Sequence, residues 1–137
     1  MAARTEAYVD TGALIAFADA SDSYHPLFRR LFAQPPPLIT TTLVIAEGHG
    51  WFLRRFDAAK GLQFLAMIQA MRPLRICAIG ATEQRAATAV LKRFSDQPLT
   101  LADALGLHVM AARNVRACWS TDRHLALTGV QLVIHQH

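Results

Sequence analysis

Short apolar runs alternate with longer helical segments along almost all of the 137 residues, and this alternation limits the folds open to the chain. EAYVD reads as a strand around Tyr8 and Val9, and the TGALIAFADA that follows reads as a helix. YHPLFRRLFAQ is a second helix, with Leu27/Leu31 and Phe28/Phe32 four apart and Asp22 or Ser23 as its cap. The run Pro35-Pro36-Pro37 stiffens the passage into PLITT, the next strand. Two helices, TLVIAEGHGWFLRRF and DAAKGLQFLAMIQAM, precede LRICAI, a third strand bounded by Pro73 and Gly80. ATEQRAATAVLKRF and PLTLADALGLHVMAAR are again helical, and ACWST and QLVIH close the chain as two short strands. Strands separated by helices require crossover connections, which make neighbouring strands parallel and place helices on both faces of the sheet. The expectation is one α/β domain over residues 1–137, a three-layer α/β/α sandwich on a mostly parallel, roughly five-stranded sheet.

Composition excludes several classes. Hydrophobic residues make up 53% and charged ones 18%, too apolar for disorder. No apolar run is long enough to span a bilayer, and MAARTEAYVD lacks the apolar stretch of a signal peptide, so a soluble cytoplasmic protein without a membrane partner is expected. Cys77 and Cys118 lie in apolar surroundings without CxxC spacing and read as reduced thiols. Lys and Arg together number 14 against 10 acids, and 12 of the 14 are arginine, whose planar fork suits phosphate.

The acids are more informative. Ligands in open parallel sheets sit beyond the carboxyl ends of the strands. Asp10 stands at the end of the first predicted strand and Asp122 just past ACWST; either can instead cap the helix that follows. Asp96 precedes the most apolar helix, where it also fits a plain turn. Asp103 lies inside that helix, three residues after Thr100, in capping-box spacing. Glu47 has no such local role: it shares its helical face with Leu43, Gly50 and Trp51, where an unpaired charge would be costly if buried. Half of the ten acids thus fall at one predicted edge of the sheet. Carboxylates about 4 Å apart repel by about 4 kcal/mol per pair at an effective dielectric of 20, so gathering them calls for a cation. A hard divalent ion, Mg²⁺ or Mn²⁺, prefers such oxygen ligands.

The segments YVDTGALIAF, TTLVIAE, FSDQPLTLADALGLHVMAAR and CWSTDRHL together resemble the PIN domain family, most closely its VapC-type toxins. DQPLTLADA and STDRHL carry the resemblance most specifically, and it covers nearly the whole chain. It implies a metal-dependent ribonuclease, the toxin of a toxin–antitoxin pair. Its acidic quartet would be Asp10, Glu47, Asp103 and Asp122, with Asp10 and Asp103 as the principal Mg²⁺ ligands. Asp96 matches an accessory acid, and Thr11 and Thr121 match small hydroxyl residues that line the site. His124-Leu125 stands where many relatives carry His or Asp followed by Phe, a departure that touches packing more than chemistry.

If the five acids face metal, 14 basic residues remain against five acidic ones, a balance that attracts an RNA backbone. Arg123 and the Arg54-Arg55 pair are the first candidates for phosphate contacts, or else solvated surface charges. The large side chains of the first half, Trp51, Phe52 and Phe56 among them, are either core or, as the resemblance implies, part of a groove for an antitoxin segment; the resemblance also implies a homodimer. A nucleic-acid-binding PIN-like protein without catalysis, and a PIN nuclease of RNA processing with no antitoxin, are the alternatives. A phospho-acceptor receiver domain would need paired acids after the first strand and a lysine after the last one. Here Asp10 stands alone, and Lys60 and Lys92 lie in helical segments. His135 and His137 lack a third metal ligand nearby and read as a frayed tail; His25 and His108 read as helix residues, His49 as a rim contact.

Overall fold

The computed structural model describes residues 5–135. Five strands, β1 (Ala7–Val9), β2 (Leu38–Thr41), β3 (Leu74–Cys77), β4 (Ala117–Trp119) and β5 (Gln131–Leu132), form one sheet in the order β3-β2-β1-β4-β5. Every pairing is parallel. Six α-helices connect them: α1 (Thr11–Ala18), α2 (His25–Leu31), α3 (Thr42–Arg55), α4 (Ala58–Ala70), α5 (Ala81–Arg93) and α6 (Leu101–Ala112). The architecture is the α/β/α sandwich expected from the alternation.

β1 lies at the centre because it is apolar on both faces: Ala7, Tyr8 and Val9 are all buried. α6 is buried along most of its length, and its Gly106 lets it sit directly on β1, since a Cβ there would meet the Tyr8 ring at 2.9 Å. Tyr8, Leu14, Phe28, Leu105, Leu107 and Met110 fill the interior, and full burial of each of the Leu, Phe and Met side chains stabilises by about 1.5–3 kcal/mol. β3 is an edge strand, and Arg75 and Ile76 on it are exposed.

Some local expectations are corrected. QLVIH is a strand only over Gln131–Leu132; Val133–His135 winds into a 3-10 turn, and residues 136 and 137 lie outside the described residues. The cap of α2 is Tyr24, because the Asp22 carboxylate accepts from the Tyr24 N–H at 2.8 Å and closes a turn before the helix begins. His25 and His108 do lie in helices; His49 packs against Gly61 of α4, not at the rim of the site. Both cysteines are free, Cys118 buried and Cys77 partly so.

Candidate functional site

The chain leaves β1 for β2 and β3 on one side and later returns to β4 and β5 on the other, so the strand order reverses between β1 and β4. The loops beyond these two strands diverge there and open a crevice. A cleft of about 350 Å³ occupies this place. Asp10 enters it from the end of β1, Thr121 and Asp122 from the end of β4, Glu47 from α3, and Thr100 and Asp103 from the start of α6. Thr11, Gly12, Ile15, Trp51 and Arg54 complete the walls.

Asp10 occupies the cap position of α1, yet its side chain makes no capping bond. Its Oδ2 instead accepts from the Ser120 hydroxyl at 2.8 Å, while its own N–H donates to the Trp119 carbonyl at 2.9 Å. Asp10 is 6% exposed, and burial pushes its pKa from 3.8 up to about 6. The Ser120 hydroxyl and the Thr11 N–H oppose that rise, and the nearby carboxylates of Asp103 and Asp122 add to it.

Asp103 makes the reciprocal cap expected with Thr100: its Oδ2 accepts from Thr100 N–H and its N–H donates to Thr100 Oγ1, both at 3.1 Å. No hydrogen bond engages Oδ1 among the described residues. The cap therefore fixes the side chain and leaves one carboxylate oxygen available to a ligand. Asp122 caps the 3-10 turn Arg123–Ala126, its Oδ1 accepting from the His124 N–H at 3.0 Å and facing His124 Nδ1 at 2.8 Å. His124 therefore touches the site and is more than a packing residue. Glu47 is exposed to the cleft, so the costly buried charge expected of it does not arise. Partial desolvation still raises its pKa, helped by Asp103 and Asp122 and opposed by the nearby Thr11 hydroxyl.

Other candidate residues lie elsewhere. Asp96 is exposed in the turn after α5 and does not line the cleft. Arg123 is exposed and also lies off the wall; Arg55 stands over the Trp51 ring, 5.6 Å from its centroid. Of the three arginines only Arg54 lines the cleft, and it forms no ion pair with the acids. Thr11 and Thr121 do line it, and a Cβ on Gly12 would meet Thr121 Oγ1 at 2.5 Å, so glycine is needed for α1 to approach this loop.

The sequence reading passed over Ser120. Fully buried, it donates to Asp10 and accepts from the Asp122 N–H at 2.9 Å, tying the ends of β1 and β4 together. A small hydroxyl two residues before an aspartate at a strand end was the available signal. Ser120→Ala is expected to destabilise by about 1–3 kcal/mol, the cost of unsatisfied buried partners, and to raise the Asp10 pKa further. Thermal melts, and NMR titration of the Asp10 carboxyl, check both.

The donor set suits a hard divalent cation. It offers carboxylate and hydroxyl oxygens, Thr11 Oγ1 among them, and the pKa values of Asp10 and Glu47, raised first by desolvation and then by neighbouring carboxylates, mark negative charge that no arginine among the described residues offsets. Among the described residues, no three acidic, histidine or cysteine side chains stand close enough together to hold a metal ion between them. An ion that keeps several waters and takes only one or two protein carboxylates fits such an open arrangement.

A parallel α/β/α sandwich with carboxylates gathered at its switch point defines a class of acidic-cleft proteins. The chain belongs to the PIN domain family: the family model matches residues 7–130. This is a family of nucleases. Among solved structures, the fold is similar to that of Mycobacterium tuberculosis VapC20, a sarcin-ricin loop cleaving toxin, with 23% identity and a TM-score of 0.83 over 91% of this chain and 96% of that one. It is also similar to PAE2754 from Pyrobaculum aerophilum, with 19% identity and a TM-score of 0.68 over 96% and 92%. A search of curated protein sequences gave no match. No described helix is long and apolar enough to cross a membrane.

Proposed function

We propose that this PIN domain is a Mg²⁺- or Mn²⁺-dependent endoribonuclease and the toxin of a VapBC-type pair. The observation that carries the reading is the convergence of Asp10, Glu47, Asp103 and Asp122 on one cleft, with none of them ion-paired to an arginine among the described residues. Asp10 and Asp103 would hold the ion, the first braced by Ser120 and the second by its helix cap. When bound, such an ion supplies charge stabilisation at the phosphoryl oxygens and makes a nearby water more acidic. Glu47, with its raised pKa, is a better proton acceptor than an ordinary carboxylate and orients the attacking water from the cleft mouth. Asp122, held by His124, orients water from the end of β4. Arg54 offers its fork to a phosphate oxygen. Asp96, lying outside the cleft, has no part in this chemistry.

The antitoxin reading is supported by apolar side chains left open on the α3–α4 hairpin. Leu53, Phe56 and Leu62 are 44%, 48% and 65% exposed. A shallow hollow between α1, α3 and α4, lined by Phe52, Phe64 and Met67, lies on the same hairpin. We propose a homodimer as well, to be checked by light scattering.

RNA cleavage by the purified protein is expected with Mg²⁺ or Mn²⁺, to vanish in EDTA, and to return when the ion is restored. The target named for VapC20, the sarcin-ricin loop, is the first substrate to try. RNA binding without cleavage under every metal condition would favour the binding-protein alternative. Toxicity on expression, relieved by the product of an adjacent short reading frame, is the expected result for the toxin role; cleavage without toxicity would favour RNA processing.

A further inference from the structure

The wall of the cleft formed by α3 carries chemistry that the acids do not use. Trp51 lies one helical turn beyond Glu47, about 6 Å along the axis, and lines the same cleft. It is half-buried, its indole N–H makes no hydrogen bond among the described residues, and its ring stands edge-on to Phe52 at 4.8 Å and to Phe56 at 6.1 Å. One guanidinium, that of Arg55, lies over the ring at 5.6 Å, and Arg54 lines the same cleft. A Cβ at Gly50 would meet Arg54 Nη1 at 3.0 Å, so the glycine leaves room for Arg54 to lie back along the helix. A half-exposed indole braced by aromatic neighbours, with one guanidinium over its ring and another on the same cleft, one turn from the clustered acids, matches the way proteins hold unpaired bases. The base stacks on the ring or on a guanidinium plane, and the charges take the backbone.

We propose that Trp51, with Arg54 and Arg55, is a stacking platform for one unpaired base of a single-stranded RNA whose neighbouring phosphate enters the acidic cleft. This rests on the ribonuclease reading and deepens it: the substrate must present an unstacked base beside the scissile bond. A base inside a continuous duplex has no face free for the ring.

Tryptophan emission tests this directly, because Trp119, the only other tryptophan, is 4% exposed and packed against Phe28 and Phe32. A short single-stranded RNA added in EDTA is expected to quench the emission saturably, and a duplex of equal length to do so at least tenfold more weakly. Trp51→Ala is expected to remove the quenching and to weaken RNA binding, read by fluorescence anisotropy of labelled RNA, by about 5- to 100-fold, the range set by one base–aromatic stack. Trp51→Phe, a smaller change should the alanine variant fold poorly, is expected to bind in between. Arg55→Gln is expected to weaken binding several-fold. With metal present, the loss is expected mainly in KM. Equal quenching by duplex and single strand, unaltered emission with either, or wild-type binding by Trp51→Ala would overturn the platform and leave the aromatic cluster to a protein segment. Cleavage that persists alongside such results keeps the nuclease reading; quenching without cleavage under any metal condition keeps the platform and removes that reading.

Discussion

Replacing Asp10 with asparagine is expected to stop RNA cleavage and, at the same time, to raise the melting temperature of the metal-free protein. The two effects share one cause. Asp10 is buried, near other carboxylates and with no arginine paired to it among the described residues, and its pKa rises from 3.8 to about 6. An unfolded chain releases the Asp10 proton near pH 3.8, whereas the folded chain keeps it until about pH 6. Stability is therefore unaffected by this group below pH 3.8, falls as pH rises between the two values, and stays lowered above pH 6. At pH 7 the penalty is about 2–3 kcal/mol, which corresponds to a gain in melting temperature on the order of 5–10 °C for the asparagine variant in EDTA. The gain should vanish at pH 3.5. Asparagine can still accept the Ser120 hydroxyl, so the brace between β1 and β4 survives. Cleavage should fall by more than about 100-fold, beyond what loss of an outer-shell partner of a metal site produces. A variant that cuts RNA at the wild-type rate, or melts lower than wild type in EDTA at pH 7, contradicts the proposed site.

Asp103 should separate the two roles that its place in α6 combines. In Asp103→Asn the amide oxygen can still accept from Thr100 N–H, so the cap persists and the melting temperature changes little. Cleavage is nevertheless expected to fall by about 100-fold or more, because the free carboxylate oxygen loses its charge. Asp103→Ala should lose the same activity and also about 1 kcal/mol of stability with the cap. Thr100→Ala is the counterpart: it should lose a similar stability, since Thr100 Oγ1 no longer accepts from Asp103 N–H, while keeping most of the cleavage. Thermal melts in EDTA and single-turnover cleavage with Mg²⁺ distinguish the three.

Asp122 and Glu47 show why a sequence reaches only part of the way into such a site. Both were singled out from their positions, and both line the cleft. The physical ground offered for Glu47, a buried charge in need of a partner, is not what the fold provides, because α3 turns that residue toward solvent in the cleft. Asp96, two residues ahead of Pro98, reads either as a plain turn residue or as the accessory acid the resemblance implies, and its turn leaves it exposed and off the wall. Spacing places a residue near a strand end or a helix start; it does not say how far a loop carries the side chain from the crevice.

The sequence by itself determined the parallel α/β architecture, the boundaries of most helices, the Thr100–Asp103 cap and the strand ends where acids gather. Apolar periodicity and capping chemistry are local, written within a few residues of one another. Only the tertiary structure decided that β1 and β4 are neighbours, that Ser120 joins Asp10 to Asp122 across 110 residues of chain, and that Trp51 and Arg54 share a wall with the acids. Those contacts follow from the order in which strands pair, which depends on how all the apolar faces can be covered at once. No short stretch of sequence carries that information.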